Sequence, residues 1–253
     1  MRTQSAQNRD ARAVTASRPF TVIGHRGARG HAPENTLLSI DTAIRLGADW
    51  VEIDVQHHDG ELWLMHDLTL DRTTNGRGLL TAHPAAALRR LDAGDGEGIP
   101  TLAEALDLIE QRVGVNVELK SWNGCANAVA ACLREYIADG WPAERFLVSS
   151  FHLPELWEFK QLLPEVPLGA LYCGVPLDWA GLAAELGAQT LNISDEFVDA
   201  RLIADAHARG LALYVYTVND ETRLRTLWQM GVDGVFTDYP DRALAAVGSE
   251  VRE

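Results

Sequence analysis

A recurrence in the second half of the chain decides most of what it can fold into. Short apolar runs begin near Val115, Arg145, Leu168, Thr190, Leu211 and Gly234, and a helix-period pattern follows each one. The later runs start 21 to 23 residues apart. That spacing accommodates one strand, one helix and two short connections. Two more runs, near Thr21 and Val51, bring the β-runs to eight. A helix between parallel strands is a crossover, and right-handed crossovers close naturally at eight strands. The pattern predicts an α/β fold, a (β/α)8 TIM barrel. A doubly wound open sheet is the alternative. Against it, no run reads as an edge strand and no Gly-x-Gly-x-x-Gly turn occurs.

Local signals agree with that frame. Thr36 ahead of Leu37, Ile40 and Ile44 reads as a capped helix that Gly47 stops. Thr101-Leu-Ala-Glu104 is a capping-box pattern opening a helix with Leu102, Ala105, Leu106, Ile109 and Val113 on one face. Asp59-Gly60 is a hairpin signal between Val55–His58 and Leu62–Met65. Residues 68–98 are rich in Gly, Asp, Thr and Arg and read as a loop excursion over a rim. We expect a single barrel domain over residues 19–248, with a small insertion at about 56–98, after the second strand. Residues 1–18 carry Arg2, Arg9, Arg12 and Arg18 among Ser, Thr, Gln and Ala, without the apolar middle of a secretory signal. They read as a disordered tail; an organelle transit peptide has a similar composition.

The bulk numbers exclude some functions. A net charge of −14 argues against non-specific nucleic-acid binding, which needs a basic face. It leaves room for a small anionic substrate, because a metal and a few local cations can reverse the field within one cleft. No apolar stretch is long enough to cross a bilayer, so no membrane anchor is expected, and the expected location is cytoplasmic. Three cysteines, Cys125, Cys132 and Cys173, form neither a disulfide framework nor a zinc pattern. Cys125 and Cys132 read as small buried hydrophobes. The oligomeric state is left open.

In a barrel, the strand C-termini carry the chemistry. Val51-Glu52-Ile53-Asp54-Val55 alternates β-branched and acidic residues. Glu52 and Asp54 therefore share one strand face, roughly 7 Å apart. Glu118 and Lys120 repeat the arrangement at the end of the third strand, and His25 and Arg26 end the first. Carboxylates held together repel and resist burial, so something positive must sit among them. Glu52, Asp54 and Glu118 form a hard, oxygen-rich set that suits Mg2+ or Ca2+ better than zinc. Arg26 and Lys120 beside such an ion would bind a phosphate. His25 and His66 fit as general acid and base, with the assignment between them open. Thr217 and Asn219 end the seventh strand.

Together, His25-Arg26-Gly27, Ala32-Pro33-Glu34-Asn35-Thr36, Glu52-Ile-Asp54, His66-Asp67, Glu118-Leu-Lys120, Tyr216-Thr-Val-Asn219 and Gly231-Val-Asp-Gly-Val-Phe-Thr-Asp-Tyr-Pro240 resemble the glycerophosphodiester phosphodiesterase family. The resemblance covers about residues 20–245 and keeps the motif order. It implies a metal-dependent barrel enzyme that hydrolyses glycerophosphodiesters to glycerol 3-phosphate and an alcohol. Glu52, Asp54 and Glu118 then correspond to metal ligands, His25 and His66 to catalytic histidines, and Arg26 and Lys120 to phosphate contacts. Glu34 is expected either behind the metal ligands or as a helix cap. The nucleophile implied is the substrate's own 2-hydroxyl or water. Trp122, Phe151 and Tyr172 are expected in packing roles, the alcohol end of the cleft being the alternative.

Two competing readings remain at this point. A lysophospholipase D-like member of the same superfamily needs an apolar rim, whereas the excursion at 68–98 is polar, with Leu70, Leu79, Leu80 and Leu88 its main apolar residues. That favours water-soluble substrates. A non-catalytic phosphate-binding barrel should have lost a histidine or an acid, and all five are present.

Overall fold

A computed structural model describes residues 20–251; the tail expected at 1–18 lies outside the described residues. Nine strands and nine helices are described, and they follow the expected alternation. The strands are β1 (Thr21–Gly24), β2 (Trp50–His58), β3 (Glu61–Leu64), β4 (Gly114–Leu119), β5 (Phe146–Ser150), β6 (Leu168–Tyr172), β7 (Thr190–Ser194), β8 (Ala212–Tyr216) and β9 (Gly234–Thr237). The helices are α1 (Leu37–Arg45), α2 (Ala85–Leu88), α3 (Leu102–Ile109), α4 (Cys125–Ala138), α5 (Leu153–Leu162), α6 (Gly181–Leu186), α7 (Ala200–Ala208), α8 (Glu221–Met230) and α9 (Pro240–Val251). All strands but β3 pair in parallel, in the order β1-β9-β8-β7-β6-β5-β4-β2. A further pairing, Ile23 with Trp50, joins β1 to β2 and closes an eight-stranded (β/α)8 barrel.

Strand parity separates the packing from the chemistry. Val51, Ile53, Val55, Val115 and Val117 are fully buried in one cluster with helix residues such as Ile40, Leu102, Leu106 and Val129. The residues between them, Glu52, Asp54, Asn116 and Glu118, form the other face and line the barrel interior. The helix caps are those read from the sequence. Thr36 accepts from the Ser39 N–H at the start of α1. Thr101 and Glu104 complete a reciprocal capping box on α3.

The stretch after β2 is more ordered than its composition implies. β2 outruns the barrel and pairs antiparallel with β3 through the Asp59-Gly60 turn, both residues having positive φ. Beyond it, Trp63, Met65, Leu70, Leu80, Leu88, Ala93 and Ile99 pack into a second small core. Three of the leucines that look scattered in the sequence, Leu70, Leu80 and Leu88, are therefore buried, whereas Leu68 and Leu79 are exposed. The three cysteines are free, with Cys125 buried, Cys132 half-buried and Cys173 exposed.

Candidate active site

The carboxylates meet because β2 and β4 are neighbours in register: Asp54 lies opposite Glu118, and Glu52 opposite Asn116. Glu52, Asp54 and Glu118 each bring an oxygen within 4.8 Å of the others, and all three are buried. Among the described residues no other His, Cys, Asp or Glu group is gathered this way. Burial and the neighbouring carboxylates push the Glu52 carboxyl well above its ordinary range, and burial and Asp54 raise that of Glu118. Glu52 Oε1 and Asp54 Oδ1 are buried without a hydrogen-bond partner. Acceptors left bare in a buried, mutually repelling set are what a divalent cation satisfies, so the residues present fit Mg2+ or Ca2+.

The remaining oxygens are fixed by the chain around them. Glu52 Oε2 accepts from the Arg26 backbone N–H (2.8 Å). Asp54 Oδ2 accepts from the Asn35 side-chain amide (2.9 Å), and Asn35 Oδ1 in turn accepts from the Asp54 N–H (3.1 Å). The loop after β1 must fold tightly to reach these positions. Arg26 has a left-handed φ of 54°, and a side chain on Gly27 would strike the backbone of Ser39 in α1. Glycine at 27 is thus required by both conformation and space.

The two expected phosphate cations are present but paired. The Arg26 guanidinium spans Glu34 (2.6 Å) and Asp54 (3.2 Å). Burial works against its charge, but Asp54, Glu52 and Glu34 outweigh that and hold its pKa up. The Lys120 Nζ bonds Glu118 (2.8 Å) and lies 3.7 Å from Asp54. Glu34 neither caps the helix, a task Thr36 performs, nor bonds the acidic trio; it receives Arg26 and Arg72. Burial raises the Glu34 carboxyl, but those two arginines prevail and lower it to about 2.

Both histidines are held in the same way. His25 Nδ1 bonds Asp238 (2.8 Å), and His66 Nδ1 bonds Asp67 (2.6 Å). A carboxylate only accepts, so each Nδ1 carries the proton and each Nε2 is left for the cavity. Asp238 is itself braced by Arg29 (2.9 Å) and by the Asn219 amide (2.8 Å). Asp67 is braced by Arg72, which also grips Glu34. Burial lowers both imidazole pKa values against the opposing pull of these carboxylates.

His25, Arg26, Glu52, His66 and Glu118 line one cavity of ≈ 130 Å³, walled by Phe151, Leu171, Tyr216, Thr217 and Phe236. A second cavity of ≈ 480 Å³ opens outward past His66, Glu118 and Lys120 to Trp122, Phe151 and His152. Seven of the nine candidate residues thus meet in one mouth. Glu34 and Asn219 stand behind it, Asn219 as a clamp on Asp238. Asp238, Asn35 and Arg72 were not singled out from the sequence. Asp238 and Asn35 lie within motifs quoted there, and Asp238 also stands at the C-terminal end of the last strand, where a barrel carries its chemistry. Trp122 and Phe151 are not packed as expected: they are 61% and 43% exposed on the rim, whereas Tyr172 is buried. His152 caps α5 through Nδ1 and stacks on Trp122.

Residues 25–242 match the model of the Glycerophosphoryl diester phosphodiesterase family. A glycerophosphodiester phosphodiesterase of Caldanaerobacter subterraneus subsp. tengcongensis is 34% identical over 240 residues, covering 89% of this chain and 97% of that one. One of Bacillus altitudinis is 35% identical, covering 88% and 96%. Among solved structures, an Oleispira antarctica phosphodiesterase in complex with the product sn-glycerol-3-phosphate superposes with a TM-score of 0.84. It is 38% identical and covers 90% of this chain and 96% of its own.

Proposed function

We propose, from the premise that this chain belongs to the glycerophosphoryl diester phosphodiesterase family, that it is a divalent-metal-dependent hydrolase of glycerophosphodiesters. Phosphoric diester hydrolysis is the family's activity; the metal, the substrate range and the residue roles are our reading. The products are sn-glycerol 3-phosphate, seen bound in the Oleispira antarctica relative, and a free alcohol such as choline or ethanolamine. The observation that carries the reading is the pair of bare buried oxygens on Glu52 and Asp54, beside Glu118 and between two carboxylate-held histidines.

Glu52, Asp54 and Glu118 would hold Mg2+ or Ca2+. When bound, such an ion polarises a phosphoryl oxygen and favours attack at phosphorus. Arg26 and Lys120 orient the phosphodiester by neutralising its anion. The smaller cavity lined by His25 matches the small glycerol end, whereas His66 is shared with the outward cavity, which we read as the exit of the alcohol. We therefore assign His25 Nε2 as the base that takes the proton of the attacking hydroxyl, either the glycerol 2-hydroxyl or water. His66 gives its proton to the departing alkoxide as the P–O bond breaks and the electron pair stays on that oxygen. The bound anion favours the imidazolium form that the second role needs. If the 2-hydroxyl attacks, a cyclic phosphate forms and water opens it in a second step.

The test is turnover of glycerophosphocholine and glycerophosphoethanolamine, read as glycerol 3-phosphate release. Activity should vanish in excess chelator and return with Mg2+ or Ca2+. Full turnover in chelator would remove the metal from the reading; binding without turnover would favour a phosphate-binding barrel.

A further inference from the structure

The outward cavity does not end at the rim. Phe151 and His152 also line a larger groove of ≈ 760 Å³ that continues down the outer wall between α5 and α6. Its walls are Leu153, Pro154 and Trp157 from α5 and Leu182 and Leu186 from α6. Trp157 and Leu182 are exposed, so the apolar character faces open space. The helix on that side, α6, has only 6 residues. Away from the mouth the two helices are tied where the Lys160 Nζ donates to the Leu186 carbonyl (2.6 Å). Between Leu153 and Lys160 the wall of α5 rises about 10 Å, the reach of a medium-length alkyl chain.

We propose that this groove binds the hydrocarbon part of a substrate's leaving alcohol, so that the enzyme accepts amphiphilic glycerophosphodiesters bearing an alkyl or acyl tail. The proposal rests on the phosphodiesterase reading above. Its support is continuity. The Lys120 Nζ, placed to orient the phosphate, lies 5.6 Å from the centre of the Phe151 ring. A chain leaving the phosphate on that side meets Phe151 within its first carbons. It then passes His152, stacked at 4.9 Å on the exposed Trp122, and enters the groove. The inner cavity, at ≈ 130 Å³, is far smaller than the groove, so the groove is the larger space for a tail. The groove offers an anionic membrane surface little: apart from His152 its one titratable lining residue is Glu185, and the chain carries a net charge of −14. A dispersed, monomeric amphiphile is the occupant that fits. The rim that an apolar substrate requires is thus supplied by α5 and α6, not by the excursion at 68–98.

The experiment is a series of glycerol 3-phosphate monoesters of ethanol, butanol, hexanol and octanol, each held below its aggregation concentration. For the unaltered enzyme we expect kcat/KM to rise roughly two- to fourfold per added methylene, mainly through KM, until the groove is filled. Leu182→Asp places a carboxylate in the groove at an exposed position, and Trp157→Ser removes a wall without adding charge. In both, the ethyl ester should turn over as before and the gain with chain length should flatten. A flat series in the unaltered enzyme would overturn the proposal, as would an unchanged slope in both variants. A flat series with Leu182→Asp converting a dimer to a monomer by light scattering would assign the groove to a second copy and also overturn it. No turnover of even the ethyl ester would refute the phosphodiesterase reading, and this proposal with it.

Discussion

Replacing Asp238 with Asn tests how His25 is prepared for its role. In the native site the two Asp238 oxygens have different partners. Oδ2 accepts from the Asn219 amide, and Oδ1 faces His25 Nδ1 and Arg29 Nε. Asn offers one acceptor where Asp238 offers two, so the Asp238→Asn side chain cannot accept both from Asn219 on one side and from His25 and Arg29 on the other. If the NH2 turns to His25, Nδ1 must accept, which moves the ring proton to Nε2 and removes the lone pair needed by a base; if the carbonyl stays there, the negative charge that stabilises the imidazolium is lost. Loss of a positioned base costs about 10²- to 10⁴-fold, or about 3 to 5 kcal/mol in the barrier. Asp238 has no part in holding the phosphate, so KM should change little. The assay is steady-state release of glycerol 3-phosphate from glycerophosphoethanolamine across pH, with a thermal melt to verify folding. Asp238 also raises the His25 pKa, so its loss moves the acid limb of any residual activity to lower pH. A folded variant whose kcat stays within about threefold of the native enzyme would refute the reasoning.

Two further outcomes are expected. A base must be neutral to act, and burial lowers the His25 pKa, from 6.5, against the pull of Asp238, with Arg26 also lowering it and Asp54 raising it. The acid limb of kcat/KM should therefore have its midpoint below pH 6.5; a midpoint above that value would contradict the assignment. Thr101→Ala removes the reciprocal cap of α3. It should cost about 1 kcal/mol and lower the melting temperature by about 2 to 4 °C. An unshifted melt would show that the cap contributes nothing measurable.

The acidic trio was legible in the sequence because strand periodicity alone places Glu52 beside Asp54, and the βα recurrence sets Glu118 at the same end of the sheet. The bracing around it was not. The His25–Asp238 bond spans 213 positions, and the Arg72–Glu34 bond spans 38. Such pairs carry no local period, and only barrel closure brings them together. The small core under the excursion was missed for a related reason. Leu70, Leu80 and Leu88 follow no helical or strand period, because the segment that carries them turns repeatedly around them. The apolar rim was missed because Trp157 and Leu182 look like ordinary helix residues; their exposure shows only once α5 and α6 are packed on the barrel. The exposure of Trp122 and Phe151 likewise depends on which strand end they extend from.

The central claim is that Glu52, Asp54 and Glu118 hold a divalent cation. Crystals of the protein soaked with Mn2+, and measured at a wavelength where that ion scatters anomalously, test it most directly. The expected result is one strong anomalous peak bounded by carboxylate oxygens of all three residues, absent in crystals of Glu118→Gln. Saturating Mn2+ that leaves this position empty in crystals of the active enzyme would contradict the account.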